Sequence, residues 1–102
     1  RRTLNMSNIF LQEEFVNATM GYRINDGEVF ESRFETKAEV YKYAQKQYGK
    51  CVGKCYVGEG KHIGWIFQKL VRYEDSKEKY LQEVWITLHT AKPVRSIEYY
   101  YM

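Results

Sequence analysis

Two long extended runs, His62–Tyr73 and Tyr80–Thr90, joined by the polar segment Glu74-Asp75-Ser76-Lys77-Glu78-Lys79, constrain the fold most. In the first run Ile63, Trp65, Phe67, Val71 and Tyr73 share one parity. Successive side chains of a strand point to opposite faces, so this parity defines an apolar face. Placing Tyr73 opposite Tyr80 aligns Phe67 with Ile86, Trp65 with Leu88 and Lys69 with Val84, which predicts an antiparallel hairpin with one core face. The opposite face carries Ile66, Gln68, Leu70 and Arg72 with Leu81, Glu83, Trp85, Thr87 and His89. Ile66, Leu70, Leu81 and Trp85 are too apolar for plain solvent exposure. This second face is therefore expected to be covered by the N-terminal segment, a second subunit or a partner.

Upstream, Thr36 and Glu39 have the spacing of a capping box. Val40, Ala44, Gln47 and Tyr48 follow at helical spacing with Ala38 and Tyr41 alongside, and Gly49 supplies a stop. The pattern predicts a helix over 36–48 packed on the apolar face of the hairpin. Asn25-Asp26-Gly27 between the extended segments Gly21–Ile24 and Glu28–Phe34 predicts an N-terminal hairpin, because Gly accepts the positive φ of a tight turn. Cys51–Val57, ending in Gly58-Glu59-Gly60, and Val94–Tyr101, following Ala91-Lys92-Pro93, read as further strands. In Ser7–Ala18, Leu11 and Phe15 stand four apart, as a helix would want, but the run is too short to decide. The sum is an α+β fold: an antiparallel sheet, made of an N-terminal hairpin plus a four-stranded meander, with one main helix on one face. In outline residues 36–101 resemble the cystatin and nuclear-transport-factor class of α+β folds. The resemblance lies in topology without a shared motif, so it implies a fold and no activity.

The 102 residues suit a single domain, with residues 1–6 expected to lie outside the folded unit as a disordered or appended segment. Nothing approaches an apolar run long enough to span a bilayer, and no leader pattern is visible, so no membrane partner is expected. Two cysteines, Cys51 and Cys55, make no disulfide framework and point to a reducing, cytoplasmic setting.

No motif for nucleotide binding, acyl transfer or metallohydrolysis occurs, and no cofactor is expected. Cys51, Cys55, His62 and His89 are the only soft ligands besides methionine, and they lack the paired short spacing of a zinc site, so no metal is expected. Lys50 and Lys54 flank the cysteines and Glu83 lies beside Trp85, but no base and orienting group complete a catalytic set. Positive charge does concentrate: residues 36–72 hold eight basic and two acidic side chains. Lys42, Lys46, Lys50 and Lys54 recur every fourth residue among tyrosines, the pattern of a phosphate-binding stripe or of a plain solvated face. Ten tyrosines and two tryptophans supply interface material, notably Tyr99-Tyr100-Tyr101 in the last strand, with Tyr99 and Tyr101 on one face. The expectation is a non-enzymatic binding protein acting through protein–protein contacts of Trp85, Leu81, Ile66, Leu70, Tyr99 and Tyr101, with a protein partner or a second copy. Nucleic-acid binding through Lys42, Lys46, Lys50 and Lys54, and a small-molecule pocket between helix and sheet near Cys55, His62 or Glu83, are the alternatives.

Overall fold

A computed structural model describes residues 9–25, 28–57, 60–89 and 97–102. The fold is α+β, and the described residues form seven strands in one curled antiparallel sheet and one helix. In chain order these are β1 (Phe10–Asn17), β2 (Tyr22–Arg23), β3 (Glu28–Glu31), α1 (Lys37–Tyr48), β4 (Lys50–Val57), β5 (Lys61–Arg72), β6 (Lys79–His89) and β7 (Ile97–Tyr101).

The helix begins and ends for local reasons. Thr36 Oγ1 accepts the Glu39 N–H at 3.2 Å, and Glu39 Oε1 accepts the Thr36 N–H at 3.0 Å, closing the capping box. Gly49 ends the helix at φ 99°, and a Cβ there would lie 2.3 Å from the Gln68 carbonyl oxygen, so only glycine fits. Replacing Thr36 with Ala is expected to cost about 1 kcal/mol in a urea titration, because a helix-end donor loses its partner.

The buried side of α1 presents Val40 and Ala44 to Leu11, Trp65, Phe67, Val84, Ile86 and Leu88. Tyr41 adds an edge contact to the Trp65 ring at 5.2 Å and a tilted one to the Phe67 ring at 5.6 Å. Ala38 and Gln47, expected on this side, are exposed. The parity reading of the long hairpin therefore stands from Trp65 onward, with Trp65 on the helix face and Trp85 in a separate cluster on the other, but fails at Ile63, which a bulge turns into the second cluster.

Its register differs. Phe67 pairs with Val84, Trp65 with Ile86, Lys69 with Gln82 and Val71 with Tyr80, two residues away from the alignment set by Tyr73 opposite Tyr80. The turn is tighter than the polar run suggests: Tyr73 N–H donates to the Glu78 carbonyl at 2.9 Å, with Asp75 at φ 62°. A two-residue slip preserves every face, which is why parity alone cannot detect it.

Two expected pairings are corrected. The strand order is β2-β1-β6-β5-β4-β7, so β7 joins the far edge of β4 and does not complete a meander beside β6. The place beside β6 belongs to β1, in register from Phe10 opposite His89 to Asn17 opposite Gln82. The segments flanking Asp26-Gly27 do not pair with each other: β2 and β3 both pair with β1, forming one interrupted edge. Asp26 and Gly27 themselves lie outside the described residues, as do Gly58-Glu59, 90–96 and residues 1–8. At the interruption the Asn25 side chain accepts the Phe15 N–H at 2.8 Å, standing in for a strand.

Candidate functional site

The second face of the sheet is concave. β7 lies three strand spacings from β6, about 14 Å in a flat sheet. Yet the Tyr99 ring of β7 sits 4.5 Å from the Trp85 ring of β6. The sheet thus curls until its last strand covers the face that the sequence left apolar. Ile66, Ile63 and Cys55 form a small second core there, packed by Val52, Trp85, Ile97 and Tyr99. The cover expected from the N-terminal segment, a second subunit or a partner is supplied in part by β7.

Bulges in the β4–β5 ladder decide which side chains reach this face. Register shifts fall between Cys51 and Gly53 and between Cys55 and Tyr56. The first puts Cys51 against the helix-side core and Cys55 in the concave cluster, although the two share parity. Around the second, Ile63 turns into the concave cluster, while His62 meets Trp65 at 5.3 Å and Lys37 Nζ at 3.3 Å on the helix side. His89 stays on the concave face with Thr87 and Gln12, so the two imidazoles do not meet.

A buried carboxylate organises the polar part. Glu83, only 4% exposed, accepts Gln68 Nε2 at 2.6 Å, Trp85 Nε1 at 2.7 Å and the Tyr101 hydroxyl at 2.6 Å. These bonds tie β5 and β7 to β6. One strand over, the buried Glu14 faces Trp85 and forms an ion pair with Arg23 of β2. Burial pushes the Tyr99 hydroxyl up to about 12, with the Cys55 thiol and Glu14 adding to the shift and Arg23 opposing it. Glu83 and Gln68 are legible in the sequence as sharing one face with Trp85; Glu14 and Arg23 are not, because their roles depend on β1 lying beside β6.

Of the residues expected to bind a partner, Ile66 is fully buried and Trp85 and Tyr99 are engaged with each other. Leu70, 66% exposed, pairs with Leu81 near the turn of the hairpin on the same face. Tyr100 and Tyr101 of β7, and Met102 just after it, are 53, 58 and 74% exposed. Among the described residues only β4 pairs with β7, leaving its other side an open edge.

The lysine series does not form a stripe. Lys42 and Lys46 are exposed on α1, but Lys50 pairs with Gln68 and so lies on the concave side, while Lys54 pairs with Trp65 on the helix side. The bulge at Val52 breaks the every-fourth pattern. Lys54 instead joins Lys37 around His62, beside the Tyr56 and Tyr100 rings, which meet at 5.6 Å.

Burial, with Cys51 adding, pushes the Cys55 thiol up to about 12, opposite to the shift that activates a nucleophile. Among the described residues no three potential ligands gather for a metal ion. The helix–sheet interface is filled by Val40 and Ala44, and a cavity of about 210 Å³ beside it is lined by Leu11, Phe30, Glu31, Arg33, Phe34 and Tyr43, none of them the residues expected of a pocket.

Both imidazoles are held below the usual histidine range: His89 by burial, and His62 by burial and then by Lys37 and Lys54, against the opposing Gly64 carbonyl. The folded chain then binds fewer protons than the unfolded one in mild acid. Stability is full above about pH 6.5 and falls as pH drops through the folded-state values. His89→Gln is expected to flatten this limb in urea midpoints compared at neutral and mildly acid pH; an unchanged slope would place the acid sensitivity elsewhere.

Among the described residues no helix is long and apolar enough to cross a membrane. No family model matches the chain, and no curated protein and no solved structure matches it significantly.

Proposed function

We propose that this chain is a small non-enzymatic binding protein that acts through protein–protein contacts, docking an extended segment along the open edge of β7. The observation that carries the reading is the combination of a β7 backbone edge unpaired among the described residues with exposed Tyr100 and Tyr101 on the strand and Met102 just after it. Such an edge offers main-chain hydrogen bonds for affinity and alternating aromatic side chains for selectivity. Behind it, the Glu83 network and the Trp85–Tyr99 stack hold the strand in place, so the edge is presented rigidly. Leu70 and Leu81 extend the apolar surface at the far end of the hairpin. The unpaired cysteines suit a reducing, cytoplasmic setting.

The test is selection from a displayed library of random peptides. Enriched peptides should alternate apolar with polar residues, slow exchange of β7 edge amides and change Trp85 emission. Peptides that enrich but leave those amides unprotected would overturn the reading, and so would a library that yields none.

Nucleic-acid binding keeps a smaller footing, on the cluster of Lys37, Lys54 and His62 beside Tyr56 and Tyr100. It requires affinity for labelled single strands that falls steeply with salt. Charge reversal of Lys54 should weaken that affinity, while reversal of Lys42 or Lys46 should not.

A further inference from the structure

The two edges of the sheet are protected very differently. One edge is split into β3, four residues long, and β2, two residues long, with a side chain bridging the gap at Phe15. Short, interrupted edges resist pairing. The other edge, β7, runs unbroken over Ile97-Glu98-Tyr99-Tyr100-Tyr101 and carries no Lys, Arg or Pro, the usual guards of an open strand.

The orientation of the free groups follows from one hydrogen bond. Met102 N–H donates to the Val52 carbonyl of β4 at 2.8 Å. Backbone groups of an antiparallel strand alternate sides, so the even-numbered residues of β7 bond to β4. The amides and carbonyls of Ile97, Tyr99 and Tyr101 then point away from the sheet.

Resting on the proposed edge-docking reading, we infer that the strand docked on β7 is β7 of a second copy, antiparallel and centred on Tyr99. Three features of the strand select this occupant and this register. Outward groups sit only on odd residues, so self-pairing requires odd opposite odd. Centring on Tyr99 pairs Ile97 with Tyr101 of the other copy at both ends, engages every outward group and overlaps all five residues. The alternative centred on Glu98 would set two carboxylates face to face, which is destabilising. In the chosen register Glu98 meets Tyr100 of the second copy, a pairing already favoured within one strand, where the Tyr100 hydroxyl donates to Glu98 Oε1 at 3.1 Å. The interface is isologous and closes on a two-fold axis, leaving no open edge of similar length to propagate a filament. Opposed residues share a face, so the two concave faces become continuous, with Tyr99 and Tyr101 of both copies at the join.

The test is light scattering on the purified chain over a broad concentration range, with hydrogen exchange read residue by residue. The mass should rise to twice 12.3 kDa. The amides of Ile97, Tyr99 and Tyr101 should slow with concentration, while those of Glu98 and Tyr100 are slow already in the monomer. Tyr101→Pro removes an outward N–H without touching the bonds to β4, and should weaken the dimer at least about tenfold. Tyr101→Phe loses the hydroxyl bond to Glu83 but keeps the amide, and should still dimerise, separating edge pairing from damage to the concave network. A chain that stays monomeric throughout overturns the inference, as does a dimer indifferent to Tyr101→Pro or one whose edge amides exchange freely. If a monomeric chain nevertheless holds a selected peptide with those amides protected, the occupant is foreign and the edge-docking function stands. If the edge amides exchange fast under every condition, both fall.

Discussion

Gly64→Ala is expected to be the most damaging single substitution in the chain, lowering stability by at least about 3 kcal/mol. Gly64 lies beside the bulge at Ile63, between Cys55 of β4 and Thr87 of β6. A Cβ there would stand 1.9 Å from the Ile86 carbonyl oxygen and 2.9 Å from the Thr87 Cα. Both obstacles are backbone of a central strand, so neither can rotate aside. Relief requires opening the β5–β6 ladder beside the second bulge of the β4–β5 pair. A domain of this length has about 5–15 kcal/mol in total, so the variant should melt more than about 10 °C below the parent or fail to accumulate. Gly53→Ala serves as a graded comparison, since its Cβ would meet Tyr100 O of the edge strand at 2.5 Å and the Ile66 side chain at 2.8 Å. There β7 alone can retreat, so the loss should be smaller and should appear first as loosening of the last strand. A Gly64→Ala protein as stable as the parent would mean that β5 and β6 do not approach as closely as this.

Glu83→Ala should follow, at about 2–4 kcal/mol, because three donors lose one acceptor and a small cavity opens beneath Trp85. The loss is unevenly shared. Tyr101 is exposed enough to turn its hydroxyl to water, whereas Gln68 and Trp85 are half-buried and remain underpaired. Glu83→Gln keeps an oxygen acceptor in place and should recover roughly half of the effect. Urea unfolding monitored by tryptophan emission reads the stability, and near-ultraviolet dichroism reads the Trp85–Tyr99 stack. A change of under about 0.5 kcal/mol for Glu83→Ala would show that β7 is not tied to β6 in solution, since surface substitutions typically fall in that range.

The two variants bear on the proposed function in different ways. Loss of the Glu83 network should release β7 and blur the edge on which docking depends, while the helix-side core of Leu11, Val40, Phe67 and Ile86 persists. Loss of Gly64 removes the curl itself. Comparing their effects on self-association separates an edge that must be rigid from one that need only be open.

Much of the helix-side architecture is readable from residue order. The Thr36/Glu39 box, the Gly49 stop and the alternation of Trp65 and Phe67 against Leu70 and Trp85 each depend on neighbours a few residues away. The concave site is another matter. Leu11 and Phe15 are four apart, a spacing that fits one face of a helix and, being even, one face of a strand equally well; only the vacancy beside β6 settles β1 as a strand. The lysine spacing misleads for a related reason, since one bulge residue at Val52 sends Lys50 and Lys54 to opposite faces.

By itself the sequence determines where the helix starts and stops and which side chains share a face of the long hairpin, because capping and pleat are short-range properties of the backbone. Tertiary structure alone decides that β7 crosses to β4, that β1 fills the place beside β6, and that Tyr99 closes over Trp85. Those choices depend on which edges remain unpaired and how far twist accumulates across the sheet, and no local run of residues encodes either.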